Sequence, residues 1–189
     1  MKKFELTTES ITFLGRTLFR IKALISFGNV KAGELGGYIE KEGNLSHEGN
    51  AWVCGDARVC GDARVCGNAW VYGDARVYGD ARVCGDARVC GDARVCGNAW
   101  VCGDARVCGD ARVCGDADIA TISGFGSEYR TTTFFRTKND EIAVKCGCFY
   151  GTLAEFREKV KETHGDNRYA KEYLMIADLM EMHFRGEEE

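Results

Sequence analysis

The sequence predicts a mainly β protein built as a solenoid, and three observations support that fold class. The six-residue unit A-[RW]-V-[CY]-G-[DN] repeats eleven times without insertion over residues 51–116. Two degenerate copies precede it at residues 39–50, and a fading copy follows at residues 117–122. The chain also holds 24 glycines and no proline. Because so short a unit can bury its apolar side only against its neighbours, the pattern predicts stacked coils.

The composition limits the class of protein and its partners. The chain is 45% hydrophobic and 29% charged, and no apolar stretch approaches the roughly 18 residues of a membrane-spanning helix. The first ten residues lack the apolar segment and small-residue cleavage site of a secretory signal. A net charge of −4 argues against general binding to nucleic acid or to anionic membranes. We therefore expect a cytoplasmic protein with neither a membrane nor a nucleic-acid partner.

Each unit is predicted to form one short strand and one corner. Alanine and valine stand two residues apart, which is the spacing of side chains that share one face of a strand. The glycine that precedes Asp or Asn supplies the positive φ of a tight corner. Alanine and valine should therefore lie inside, while the residue between them faces solvent.

This repeat resembles the hexapeptide-repeat family over residues 39–122. The resemblance implies a left-handed parallel β-helix in which three units make one triangular coil of about 18 residues. On that basis the segment 39–122 would form four to five coils. The sequence departs from the family pattern in placing glycine at the second corner position, as at Gly55 and Gly61.

The residues before the repeat, 1–38, are predicted to form an N-terminal cap, because the first coil of a solenoid has an open end. Apolar residues alternate on both sides of Gly15-Arg16, so residues 11–25 should form a β-hairpin that turns there. A glycine-rich segment, residues 31–38, would lead the chain into the first coil.

Residues 123–189 are predicted to form a C-terminal tail of a second β-hairpin and two helices. The strand-like segments 131–138 and 141–149 meet at Asn139-Asp140, a dipeptide suited to a turn. A capping box, Thr152 with Glu155, should begin a helix that runs to about residue 162.

Gly165 should end that helix, and Asp166 or Asn167 should begin a second one. An apolar stripe at helical spacing on the second helix is predicted to be core rather than a binding groove. Its residues are Tyr169, Tyr173, Ile176, Met180 and Phe184.

The overall layout resembles uncharacterised hexapeptide-repeat proteins of bacteriophages and prophages. The resemblance includes the GELGGYIE entry and the TTTFF…KCGCF…GTL…F tail, and it covers nearly the whole chain. It implies a host partner but carries no specific function.

Histidine usage argues against catalysis. Characterised hexapeptide-repeat proteins are mostly acyltransferases, with some γ-class carbonic anhydrases, and both kinds of enzyme depend on histidine. Of the three histidines here, His47, His164 and His183, none lies in the eleven regular units, and no loop interrupts those units. We therefore expect no catalytic residue, no bound metal and no cofactor. A hexapeptide-type acyltransferase or a related nucleotide-binding enzyme is the alternative, on fold alone.

The cysteines are predicted to be free thiols. Nine of the 11 occupy the corner position of the repeat, so they stack three units apart along three edges. Parallel Cβ atoms about 4.8 Å apart lie outside the usual disulfide range of roughly 3.5–4.5 Å. The pair Cys146 and Cys148 shares one strand face, which is weak evidence for a metal site, and the sequence does not decide its role.

The outward positions carry two candidate binding features. Taking every third unit, arginines form one unbroken ladder that we regard as a candidate anion site: Arg58, Arg76, Arg94 and Arg112. The alternative explanation of this ladder is a solvated lattice in which the corner aspartates neutralise the arginines. Outward aromatic residues form a candidate interface: Trp52, Trp70, Tyr72 and Trp100.

These features favour a non-catalytic interaction or scaffold protein over an enzyme. The partner could be a second copy of the chain, giving a dimer or trimer as is common in the family, a host protein, or a small anion. The phage resemblance implies that the protein binds or sequesters a host factor, such as a host-defence component, in the host cytoplasm.

Overall fold

The computed structural model describes residues 1–185 and has a parallel β-solenoid between two terminal parts. Strands β1 (Phe4–Phe13) and β2 (Arg16–Ala23) form an antiparallel hairpin, followed by β3 (Leu35–Ile39). The predicted hairpin is confirmed, although its turn lies at Leu14-Gly15, both of which have positive φ.

Each repeat unit forms a two-residue strand, made by its Arg or Trp and the following Val. These strands are β4 (Trp52–Val53), β5 (Arg58–Val59), β6 (Arg64–Val65), β7 (Trp70–Val71), β8 (Arg76–Val77), β9 (Arg82–Val83), β10 (Arg88–Val89), β11 (Arg94–Val95), β12 (Trp100–Val101), β13 (Arg106–Val107) and β14 (Arg112–Val113). Each strand from β4 to β11 pairs in parallel with the strand three units further along the chain, as Arg58 does with Arg76. Three units therefore make one coil, and the solenoid has about four turns.

The coils present three faces. The hairpin face has the strand order β1-β2-β3-β5-β8-β11-β14, so the N-terminal hairpin continues the sheet beyond the first coil. The second face is β4-β7-β10-β13, and the third face is β6-β9-β12. By pairing with β3, the hairpin protects an edge that would otherwise be open.

The interior of the solenoid is filled by the alanines and valines of the repeat. From Ala51 to Val113 every one of them is at most 1% exposed, which confirms their predicted inward orientation. The glycine corners adopt positive φ, between 61° and 74° from Gly55 to Gly109. A Cβ atom on Gly85 would lie 2.8 Å from the backbone nitrogen of Gly103, so stacking as well as φ requires glycine here.

Two buried polar side chains close the first coil. Lys3 donates from Nζ to the Ala51 carbonyl at 2.9 Å, and the Asn44 amide donates to the carbonyls of Gly61 and Ala63 at 3.0 and 2.9 Å. Both side chains are at most 1% exposed. Burial lowers the pKa of Lys3 to about 8. These donors satisfy carbonyls that no preceding coil covers.

The chain leaves the solenoid after Val113. The Asp118 carboxylate accepts hydrogen bonds from the backbone nitrogens of Cys114 and Gly115, at 2.9 and 3.0 Å. Residues 119–122, which the repeat pattern assigns to the last coil, form strand β15 (Ile119–Ile122) and pair with the tail instead. Residues 117–122 lack the glycine that forms the corner of each regular unit, so this segment has no tight turn from which a further coil could continue.

The tail is an antiparallel sheet with two helices packed on it. Its strands are β15, β16 (Thr132–Arg136), β17 (Ile142–Cys146) and β18 (Phe149–Thr152), in that order. The predicted second hairpin is β16 and β17, and it turns next to Asp140, whose φ is 64°.

Helices α1 (Leu153–His164) and α2 (Arg168–Arg185) follow the sheet. The predicted capping box is confirmed, since the Glu155 nitrogen donates to the Thr152 hydroxyl and the Thr152 nitrogen to the Glu155 carboxylate. The apolar stripe on α2 is core as predicted, with Tyr169 half-buried and the other four residues buried. Neither helix of the described chain has the length and apolarity of a membrane span.

Candidate binding surfaces

Trp52 belongs to the interior of the protein. The side chain is fully buried, with the ring of Phe27 packed edge-on at 5.4 Å between centroids. The backbone of Gly36 also lies against the indole. The predicted exposure of Trp52 is therefore wrong: the residue points outward from its strand, but the N-terminal segment covers that part of the second face.

The other predicted interface residues differ in exposure. Trp70 and Tyr72 are half-buried, and no cation–π contact among residues 1–185 joins Arg88 to Trp70. Trp100 on the third face is 53% exposed, and its Nε1 donates to the Cys84 sulfur at 3.1 Å. Trp100 is thus the one tryptophan that presents most of its ring to solvent.

The arginine ladder has the predicted register, but its two halves have different surroundings. Phe13 at the hairpin tip covers the first half, with its ring centroid 5.4 Å from the Arg58 guanidinium and 5.8 Å from that of Arg76. The Nε atoms of Arg58 and Arg76 are buried there without a hydrogen-bond partner in the described chain. Arg94 and Arg112 remain exposed. Only the second half of the ladder is therefore open to an anion.

The part of the chain that the structure describes does not neutralise the repeat arginines by ion pairs. Within residues 1–185, none of the eight has a carboxylate oxygen within 4.0 Å. The ion pairs that do form are in the terminal parts or join them to a coil, as for Arg16 with Glu40 at 2.7 Å. In the described chain, the expected lattice of arginines and aspartates therefore does not consist of direct ion pairs.

Six of the eight repeat arginines are exposed, two on each face, and we call them the open arginines. They are Arg94 and Arg112 on the hairpin face, Arg88 and Arg106 on the second face, and Arg64 and Arg82 on the third face. The strands pair the two members of each set directly, so their backbones lie one coil apart.

A junction groove of about 640 Å³ lies where the second face meets the tail. Arg106 and Asp104 line it from the solenoid, and Tyr129, Arg130 and Cys148 line it from the tail. An apolar cavity of about 220 Å³ adjoins it, bounded by aromatic and aliphatic side chains of the tail and sharing Arg130 and Cys148. Sequence reasoning missed this groove, because its residues come from distant segments and no local motif marks them.

The three histidines lie apart from one another. His47 stacks on Phe4 at 4.3 Å, His164 stacks on Tyr173 at 5.7 Å, and His183 contacts Phe184 edge-on. In the described part of the chain, no three His, Cys, Asp or Glu side chains are grouped closely enough to hold a metal ion.

One corner pair of cysteines is oxidised. Cys96 and Cys114, stacked one coil apart, form a disulfide, so the prediction that all cysteines are free is wrong for this pair. The physical reason is that their Cα atoms are only 4.3 Å apart, closer than the coil spacing assumed from the repeat. The other nine cysteines are free thiols.

The solenoid is similar to a known repeat family. Five overlapping segments match the YdcK beta solenoid repeat, at residues 57–73, 63–79, 71–85, 75–89 and 87–103. These segments lie within the regular coils and support a repeat β-solenoid, in agreement with the strand pairing. No curated protein matches the chain.

Proposed function

We propose that this is a non-catalytic binding protein, whose solenoid presents arginine side chains to an acidic surface of a partner protein. The observation that carries the proposal is the absence of ion pairs at the repeat arginines of the described chain. Exposed like charges one coil apart repel each other, and a partner that supplies carboxylates would relieve that repulsion.

The geometry of the open arginines favours a protein partner over a single small anion. Pairs of arginines occur on all three faces, so the charge extends around the solenoid rather than converging on one point. Planar guanidinium groups bind carboxylates through two parallel hydrogen bonds, which gives both orientation and strength. The short hydrogen-bonded strands that hold them lose little entropy on binding.

The finer parts of the proposal rest on resemblance. The residue pattern supports a left-handed hexapeptide-repeat helix, and the layout of the chain supports a bacteriophage or prophage origin. On that basis the partner is a host protein in the host cytoplasm, which the protein sequesters. Self-association as a dimer or trimer would multiply the arginine surface.

Binding of a fluorescein-labelled poly-glutamate peptide, followed by anisotropy, tests the proposal. Replacing all six open arginines by Gln should lower affinity at least tenfold, and added salt should weaken binding to the wild type. The hairpin face offers a matched pair of variants. Arg94→Gln/Arg112→Gln removes two open guanidinium groups, whereas Arg58→Gln/Arg76→Gln removes two that Phe13 covers.

We expect Arg94→Gln/Arg112→Gln to lower the affinity for poly-glutamate several-fold, and Arg58→Gln/Arg76→Gln to lower it less than twofold. A wild-type protein that does not bind the peptide, or a six-arginine variant that binds equally well, would overturn the proposal. Affinity capture from a bacterial lysate with the same variants then identifies the partner. Light scattering measures the molecular mass and so shows whether the protein forms a dimer or trimer.

A further inference from the structure

A pair of stacked thiols lies at the corner that follows the second face. Cys90 and Cys108 come directly after β10 and β13, which pair in register, and the Cys90 nitrogen donates to the Val107 carbonyl at 2.9 Å. The two side chains are half-buried and hydrogen-bonded to each other. The corner thus holds two thiols stacked one coil apart.

The next edge of the solenoid carries a comparable pair of stacked cysteines. Cys96 and Cys114 are likewise stacked one coil apart, and they form a disulfide. Cys90 and Cys108 have the same one-coil relation, because β10 and β13 pair in parallel directly before them.

Positive and hydrogen-bonding groups surround Cys90. The Cys108 thiol and the Tyr72 hydroxyl donate to its sulfur, and Lys145 of β17 and Arg88 contribute positive charge. Against the effect of burial, these groups lower the pKa of Cys90 to about 6. The same hydrogen bond, with burial, raises the pKa of Cys108, whose nearby cations are Lys145 and Arg106. Cys90 is therefore the more acidic thiol of the pair, and we expect it to attack first.

The stacked cysteines of the third face have a thiol–thiol hydrogen bond and arginines nearby, but neither Lys145 nor a tyrosine acts on Cys66 or Cys102. Cys66, Cys84 and Cys102 follow β6, β9 and β12, and burial raises the pKa of both Cys66 and Cys102. Stacking, a hydrogen bond between stacked thiols and nearby arginines therefore occur at both edges, while the cation from the tail, Lys145, is specific to Cys90 and Cys108.

We propose that Cys90 and Cys108 form a redox-active dithiol that is oxidised by low-molecular-weight disulfides through thiol–disulfide exchange. The Cys90 thiolate attacks one sulfur of the small disulfide, forming a mixed disulfide and releasing one small thiolate. Cys108 then loses its proton, attacks the Cys90 sulfur and releases the second small thiolate. Two protein thiols are thereby oxidised by two electrons, and one small disulfide is reduced to two thiols.

The repeat imposes one condition on the experiment. Tryptic cleavage gives the same peptide, Val-Cys-Gly-Asp-Ala-Arg, from residues 59–64, 83–88, 89–94 and 107–112. A test protein that carries Cys60→Ser and Cys84→Ser leaves Cys90 and Cys108 as the two cysteines of this peptide. Its matched control carries Cys90→Ser and Cys108→Ser, and leaves Cys60 and Cys84, which lie on different edges.

Both proteins are reduced, incubated with oxidised glutathione and analysed by mass spectrometry without reduction. In the test protein we expect the disulfide-linked dimer of this peptide, formed at pH 7 about tenfold faster than glutathione adds to the control. In the test protein, Cys108→Ser should accumulate glutathione on Cys90, and Lys145→Gln should move the pH midpoint of the reaction upward.

Three results would overturn the proposal: no linked peptide in the test protein, equal reactivity in the control, or a Cys108→Ser protein without glutathione on Cys90. Circular dichroism of each variant establishes that the solenoid is intact. Binding of poly-glutamate does not enter this assay, so its outcome is independent of the proposed function.

Discussion

Residues at the same position of the repeat unit have different roles according to what covers them. Trp52 and Trp100 both occupy the outward position between alanine and valine, yet the first is buried and the second is 53% exposed. The difference arises from Phe27 and Gly36, which cover the first coil only. An outward position on a solenoid is therefore a surface position only where no terminal segment lies over it.

Trp52→Ala should destabilise the protein by about 3–5 kcal/mol, because it removes a buried indole and leaves a cavity beneath Phe27. Trp100→Ala, the matched control, should change the free energy of unfolding by less than about 1 kcal/mol, since its ring is mostly in water. Urea unfolding followed by circular dichroism measures both. Equal losses for the two variants would contradict the assignment of Trp52 to the core.

At the scale of elements, the N-terminal part closes the first coil through close backbone packing. Strand β3 pairs with both β2 and β5, so it joins the hairpin to the solenoid. Gly36 in β3 lies against Ile21 and the Val53 carbonyl as well as Trp52. There is no room at this junction for a side chain.

Gly36→Ala should therefore destabilise the protein by about 1–3 kcal/mol or more, through overpacking. Its Cβ would lie 2.5 Å from Ile21 Cγ1 and 2.6 Å from the Val53 oxygen. Gly43→Ala is the control, because a Cβ at Gly43 has no heavy atom of the described chain within 4 Å. Thermal unfolding distinguishes the two, and a Gly36→Ala protein as stable as the Gly43→Ala protein would show that the junction can relax.

At the scale of the whole molecule, the solenoid is a stack whose coils contact only their neighbours. Stability in such a stack is approximately a sum of coil and interface contributions. The two terminal parts contact opposite ends of the stack, so the number of coils between them is not set by either part.

Deleting one whole coil, residues 76–93, should leave a cooperatively folded protein, because Ala75 then precedes Arg94 and the unit is preserved. The denaturant m-value should fall by roughly a tenth, in proportion to the surface lost. Deleting residues 76–78 instead breaks the six-residue period and should prevent normal folding. Urea titrations of both proteins test this, and a three-residue deletion as stable as the coil deletion would contradict it.

The sequence by itself determined the solenoid, the inward alanines and valines, both hairpins and the two helices, while three units per coil followed from the resemblance to the hexapeptide-repeat family. These features depend on contacts between near-identical neighbours or on local turn and cap chemistry, so a short window of sequence contains the information. The register of the arginine ladder and of the corner cysteines was predictable from the six-residue period together with the three units per coil that the resemblance implies.

Only the tertiary structure decided which outward residues reach solvent. Phe13 over Arg58 and Arg76, Phe27 over Trp52, and Lys145 near Cys90 each join segments far apart in the chain. The ion pairing of the described arginines and the disulfide likewise depend on distances of a few ångströms that the repeat spacing does not specify. A periodic sequence sets where side chains stack, but the way the non-repeating ends fold back sets which of them remain open.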